Sequence, residues 1–346
     1  MYWQIVKAAY LFGVRDLRVI DVPVPEVEQG EVLVRIGAAT TCGTDLKIYL
    51  RGYIGGIIRY PQPFGHEWAG EIVEVGDGVE WLESGVRVRA GNTSPCFKCE
   101  LCRKGKYNLC TSRTWLWGAY AEYIKVPKDI VVHNLQMIPE HVSYEEACIA
   151  EPLACVLHGA RKVGIKPGDK IVIIGSGPIG ILHVQVARLM GAGKIVVLDK
   201  VEERLDKALS LGADVAVKVD NTDVVDETVR ELGGKADVVI EAVGLPGTWM
   251  QAFRFVGAGG RLLMFGGCPP GASITLDTEQ LHYGELTIYG SFHANPWEFS
   301  EALELISRGT VKVKPLITGE CKLEDVPKIF EELTSTKKHL KIAVKP

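Results

Sequence analysis

The ten residues Ile171–Gly180, reading Ile-Val-Ile-Ile-Gly-Ser-Gly-Pro-Ile-Gly, restrict this chain more than any other stretch. Four consecutive β-branched apolar residues do not suit a half-wet sheet, so they predict a fully buried parallel strand. The run breaks at Gly175-x-Gly177-x-x-Gly180 and continues into an apolar helix expected over Ile181–Met190. The first glycine permits the tight turn, the second lets backbone approach a pyrophosphate, and the third lets helix pack on strand. Free N–H groups and the positive end of the helix dipole then favour phosphate. Alone, the motif is equally an ordinary glycine turn. Here a second strand, Lys194–Leu198, ends on Asp199, where an acid reaches an adenosine ribose. Strand, loop, helix, strand and acid in register point to a dinucleotide such as NAD.

The alternation continues past Asp199. Helices are expected over Val201–Leu211, Asp223–Leu232 and near Trp249–Val256, with strands over Val215–Val219, Ala236–Glu241, Arg261–Phe265 and Leu286–Tyr289. Six strands separated by helices predict an α/β, doubly wound parallel sheet. The cofactor should run along the strand C-terminal ends. That places it against Gly175, Gly177, Pro178, Ile179 and Gly180, against Asp199, Lys200 and Arg204, and against Val243, Phe265, Gly266, Ser291 and Phe292. A carboxylate at Asp199 accepts both ribose hydroxyls and repels an extra phosphate, which favours NAD over NADP, although Lys200 and Arg204 could tolerate that phosphate.

The first half reads differently. From Val6 to Gly91, short β-branched or alternating runs such as Glu31–Ile36, Glu71–Val75 and Val86–Arg89 are punctuated by glycine and proline, the pattern of a β-rich, barrel-like domain. It delivers Thr41-Cys42-Gly-Thr44-Asp-Leu-Lys47 just after one strand and Phe64-Gly-His66-Glu67-Trp68 just before another. Singly, Cys42 reads as a small buried hydrophobe, His66 as a structural histidine and Glu67 as a solvated acid. Together, thiolate, imidazole and carboxylate are the donors of a catalytic zinc with one position open. Glu151, ahead of Pro152 where a helix should begin, serves the helix dipole or offers a further carboxylate. Trp115 and Trp117 are core residues or a substrate-pocket wall. Gly118–Pro127 is expected as another strand.

Cys96-x-x-Cys99-x-x-Cys102-x₇-Cys110 places four thiols in one loop. Such a set closes a structural zinc site; an iron–sulfur cluster is the competitor, and the absence of a proline after the fourth cysteine favours zinc. Nine cysteines without a signal-peptide pattern at Met1–Ala9 are expected in a reducing cytoplasm. A net charge of −4 offers no general attraction to nucleic acid or anionic membrane. No apolar run approaches the ~20 residues that cross a bilayer.

The order of Cys42-Gly-Thr44-Asp, Gly65-His66-Glu67, the four-cysteine loop, Glu151-Pro152 and Gly175-Ser-Gly-Pro-Ile-Gly180 resembles the zinc-dependent medium-chain alcohol dehydrogenases, within them the sorbitol/polyol and threonine dehydrogenase branch. The resemblance covers essentially the whole chain. It implies a Rossmann domain (156–290) inserted in a GroES-like catalytic domain (1–155 plus 291–346), one catalytic and one structural zinc, and a homodimer or homotetramer. It implies Cys42 and His66 as catalytic ligands with Glu67 or Glu151, and Thr44 as proton relay. The implied activity is reversible oxidation of a secondary alcohol, a polyol first and an amino alcohol such as L-threonine second; a zinc-free reductase and a non-catalytic NAD-binding protein are the competing readings. Two departures stand out. Lys47 occupies a position where that branch usually has histidine, and Phe292-His293-Ala294 stands where sorbitol dehydrogenases tend to have Phe-Arg-Tyr. His293 and Trp297, at the return crossing between the domains, are expected to face the cleft.

Overall fold

The computed structural model describes residues 5–52, 59–220 and 224–346. The chain divides into two compact units, Met1–Pro152 with Asn295–Pro346, and Leu153–Ala294. Helix Ala150–Val163 starts in the first unit and continues into the second.

The first unit is built on β-sheets of seven and three strands. The larger runs Leu135–Met137, Arg87–Ala90, Trp68–Val75, Val32–Thr40, Lys341–Lys345, Ile317–Lys322, with Tyr123–Val126 also paired to Val32–Thr40. The C-terminal strand therefore lies antiparallel to Val32–Thr40, with Ala343 opposite Thr40. Beneath this sheet Phe330, from helix Val326–Ser335, meets Tyr49, Phe64 and Tyr120 with ring centroids 5.3–5.8 Å apart. Tilted and edge-to-face aromatic contacts of this kind hold a core beyond the area they bury.

The second unit is a six-stranded, all-parallel sheet. Its spatial order is Val215–Lys218, Lys194–Asp199, Lys170–Ile174, Ala236–Glu241, Val256–Met264, Thr287–Gly290. In order of sequence that is third, second, first, fourth, fifth, sixth, the doubly wound Rossmann arrangement. Ile171–Ile173 are fully buried, as their β-branched run requires.

Several boundaries move. The glycine-loop helix spans Pro178–Leu189, because proline at the first helical position has no N–H to waste. The helix expected from Asp223 is described over Val225–Leu232, Asp223 itself lying outside the described residues. Gly118–Pro127 forms a strand only over Tyr123–Val126, since Ala119 and Tyr120 turn inward as buried residues. Near the end of the chain, Ile317–Lys322 is a strand paired in parallel with Lys341–Lys345, followed by a 3₁₀ turn and the helix Val326–Ser335. The acidic Glu324-Asp325 pair imitates a helix start, while the alternating burial of Ile317, Gly319 and Cys321 is that of a strand.

Candidate functional site

Cys42 follows strand Val32–Thr40 and caps helix Gly43–Arg51, its sulfur accepting from Thr44 N at 3.4 Å. A helix N-terminus favours a negatively charged donor there. Thr44, half-buried, occupies the first turn of the same helix. His66 is set by an unusual turn: Gly65 has φ +86° and lies so close to Tyr120 that an added Cβ would meet its ring at 2.7 Å. The Tyr120 hydroxyl then donates to Asp45 Oδ2 at 2.8 Å, and Asp45 Oδ1 bonds His66 Nδ1 at 2.7 Å. That chain of contacts fixes the imidazole and leaves Nε2 for a ligand, the usual carboxylate–histidine support of a metal.

Donor atoms of Cys42, His66 and Glu67 lie within 4.8 Å of one another, and Glu151 Oε2 is 3.9 Å from His66 Nε2. Glu67 is wholly buried; its Oε2 accepts from Thr40 Oγ1 and from Lys341 Nζ at 2.5 Å, while Oε1 is buried without a hydrogen-bond partner among the described residues. Burial pushes the Cys42 thiol up, with Glu67 adding to the rise. It also pushes Glu151 up. Burial alone would pull His66 down, but Asp45 and Cys42 outweigh it and hold it well above its ordinary value. Glu67, Glu151 and the Cys42 thiol thus gather on Lys341, with the buried Arg89 close to Glu151 and Asp45 behind His66, all of it out of water except the half-buried Cys42. Ionisable groups buried in this number are costly unless each is paired or held. Thiolate, imidazole and carboxylate are the donors zinc takes, and the orphaned Glu67 Oε1 is a ready lone pair. The residues fit a divalent metal.

The four cysteines converge as well. All their sulfurs lie within 4.8 Å of one another, with Cys96–Cys110 at 3.4 Å and Cys99–Cys110 at 3.9 Å. Zinc–sulfur bonds of about 2.3 Å in a tetrahedron put sulfurs roughly 3.8 Å apart, far beyond a disulfide. Backbone N–H groups of Lys98 and Cys99 point at Cys96, and that of Ser112 at Cys110. Backbone N–H bonds from Cys102 and Thr111 pull the Cys99 thiol down to about 5. Burial pushes Cys102 up to about 12. These residues fit a closed tetrahedral metal. The lobe is tied to the start of helix Pro296–Ser307: Asn108 N donates to Asn295 Oδ1 at 3.2 Å, and Trp297 meets Tyr107 edge-on at 5.4 Å.

In the second unit, Gly175 has φ +98° at the end of its strand, and a Cβ there would lie 2.7 Å from Val243 Cγ2. Gly177 caps the helix, Pro178 and Ile179 open it, and Gly180 sits against the Gly175 carbonyl. Asp199 accepts from the N–H groups of Ser176 (2.7 Å), Lys200 (2.7 Å) and Val201 (3.0 Å), so it shapes the loop it faces. Arg204 reaches within 3.9 Å of the Cβ position of Gly177. Burial pulls its guanidinium down, and Asp199 opposes that fall. Gly266 and Val243 are gathered by the buried Glu241 carboxylate, which accepts from Val243 N and Gly244 N and against which Gly266 packs closely. Phe265 lies edge-on to His183. Ser291 and Phe292 follow the edge strand Thr287–Gly290, and His293 holds φ +60°.

Trp117 lies edge-on to His66, ring centroids 5.5 Å apart, stacks on Trp115 and packs against the core. The supporting roles of Thr40, Asp45, Tyr120 and Lys341 emerge only in the fold. Asp45 had a signal, standing three residues after Cys42 on one helical turn; Lys341, 274 residues from Glu67, had none.

Two family profiles match, an alcohol dehydrogenase GroES-like domain over residues 28–139 and a zinc-binding dehydrogenase over 178–308. The chain is 35% identical to the sorbitol dehydrogenase of Bacillus subtilis, over 99% of this chain and 98% of that protein. It is 33% identical to the L-threonine 3-dehydrogenase of Bacillus licheniformis, over 90% of each. Its fold superposes with a TM-score of 0.92 on a crystal structure from Sinorhizobium meliloti described as a zinc-binding dehydrogenase bound to NADP, 30% identical, covering 99% of this chain and all of that one.

Proposed function

This chain belongs to the zinc-dependent medium-chain alcohol dehydrogenases, in the branch that holds sorbitol and threonine dehydrogenases, and we propose that it interconverts a polyol or sugar-derived secondary alcohol and its ketone with NAD. The observation that carries this reading is the gathering of Cys42, His66, Glu67 and Glu151 in one buried site. A divalent metal in that donor set supplies Lewis-acid activation of a hydroxyl, and a nicotinamide supplies the hydride acceptor.

The chain's own residues do the rest. Cys42, His66 and a glutamate hold the ion, and Asp45 keeps the His66 ring oriented. Thr44 Oγ1, in the first turn of its helix, takes the hydroxyl proton of the substrate and passes it outward. Trp117 walls the imidazole and helps exclude water. Asp199 at the glycine loop supports NAD as the partner, since its negative charge opposes an added phosphate. Cys96, Cys99, Cys102 and Cys110 hold a second, structural zinc. A homodimer or homotetramer and a cytoplasmic location complete the proposal; the nine free thiols support a reducing compartment. Among the described residues no helix is long and apolar enough to cross a membrane.

The test is a panel of polyols, aldoses, sugar acids and L-threonine with NAD and NADP, read at the reduced-cofactor absorbance, beside metal analysis. Turnover of a polyol with NAD and about two zinc per chain are expected. Cys42→Ser and His66→Ala should abolish turnover and leave NAD affinity nearly intact. Wild-type rates in either variant would refute the metal chemistry, and one zinc or none with NADPH-dependent reduction of a quinone would favour a zinc-free reductase.

A further inference from the structure

Lys341 is a buried cation brought to the site from the far end of the chain. Its Nζ donates to Glu67 Oε2 at 2.5 Å and to the Thr41 carbonyl at 3.0 Å. Thr40 Oγ1 donates to the same carboxylate oxygen. The backbone around them is braced on both sides. Thr41 N donates to Ile342 O at 3.0 Å, Ile342 N donates to Thr41 Oγ1 at 3.0 Å, and Thr40 N donates to Glu67 O at 3.1 Å. Two donors therefore converge on Oε2, and Oε1 is left buried with no hydrogen-bond partner among the described residues. A buried ion pair is a poor device for stability, because apolar residues of similar volume usually serve as well. Its asymmetry is the informative feature: one oxygen is held twice and the other not at all.

We propose that Lys341 and Thr40 are positioning residues for the metal site, anchoring Glu67 by Oε2 so that Oε1 alone is left to join Cys42 and His66 as a donor. Glu67 would then offer an ion one oxygen, the other being already engaged. This inference rests on the metal-enzyme reading above and adds residues outside the family's ligand set.

The experiment uses the full chain, exchanged with cobalt(II) at the Cys42–His66 site while the four-cysteine site keeps zinc. The visible ligand-field bands and the rate of cobalt loss to a chelator are recorded for wild type, Lys341→Met, Thr40→Val, Glu67→Ala and Lys341→Met/Glu67→Ala. Lys341→Met should shift the bands and weaken retention by about 10–100-fold, the range for lost supporting contacts around a metal. Thr40→Val should do the same to a smaller degree. The double variant should be no worse than Glu67→Ala, since both act through one carboxylate. Wild-type bands and retention in Lys341→Met overturn the proposal, as do losses that simply add in the double variant. Should Lys341→Met fail to fold, judged by its four-cysteine metal content, Thr40→Val decides on the same two readouts. A wild-type chain that takes up only the one ion of the four cysteines would instead sink the metal-enzyme reading itself.

Discussion

The glycine loop gives a sharp test, because two of its glycines are required for different reasons. At Gly180 an added Cβ would stand 1.8 Å from the Gly175 carbonyl oxygen and 2.8 Å from its carbon, where real Cβ contacts essentially never fall below 3.0 Å. Both colliding partners are backbone, so no side-chain rotation relieves Gly180→Ala. Helix Pro178–Leu189 must retreat from its strand by more than an ångström, at a cost of about 1–3 kcal/mol for overpacking. The same retreat withdraws the N–H groups that face the phosphates. Each lost charge-assisted hydrogen bond is worth about 1.5–3 kcal/mol, which is roughly 10–100-fold in cofactor affinity. Gly177 is the contrast. Its φ of −68° suits any residue, and the nearest atom to its Cβ position is Arg204 Nη1 at 3.9 Å. Gly177→Ala should therefore unfold like wild type, within about 0.5 kcal/mol, yet bind cofactor at least as poorly as Gly180→Ala, because the obstruction is to the ligand alone. Thermal unfolding without cofactor and NADH titration by fluorescence measure the two quantities. The reasoning fails if Gly180→Ala is as stable as wild type, or if Gly177→Ala is destabilised as much as Gly180→Ala.

His183 is fully buried on the same helix with neither ring nitrogen partnered among the described residues. Burial pulls it down to about 3 from an ordinary 6.5. The unfolded chain thus binds a proton that the folded one refuses, so stability is complete above about pH 6.5 and falls between there and about pH 3. His183→Leu should leave stability at pH 7.5 within about 1 kcal/mol and remove part of this acid loss, by on the order of a few kcal/mol at pH 4; an unchanged acid profile would contradict the assignment. Cys102→Ser, which removes a buried member of a closed donor set, should lower metal content by one ion per chain, leave the Cys42–His66 metal in place, and speed proteolysis within residues 96–113 several-fold. Loss of both ions would show that the two sites are not independent.

Local physics alone made much of this protein legible. A β-branched run too apolar for a wet face, broken by three spaced glycines and answered by Asp199, specified the parallel sheet, and its six strands appear in doubly wound order. The four cysteines were equally readable, since chelation by neighbours along a loop depends on spacing. Strand Ile317–Lys322 was not, because a short, half-exposed strand next to an acidic pair carries a weaker signal than the helix it precedes. The support of the candidate site also lay out of reach. Gly65 makes room for Tyr120, Tyr120 holds Asp45, and Asp45 holds His66, a relay through residues of unremarkable type. Lys341 looks like any solvated lysine near a C-terminus until strand pairing lays it beside Thr40 and Glu67. Sequence determined which donors exist and the loops that carry them, because those follow from residue type and spacing. Only the tertiary structure decided which oxygen of Glu67 is held and which is free, because that depends on a cation folded in from 274 residues away.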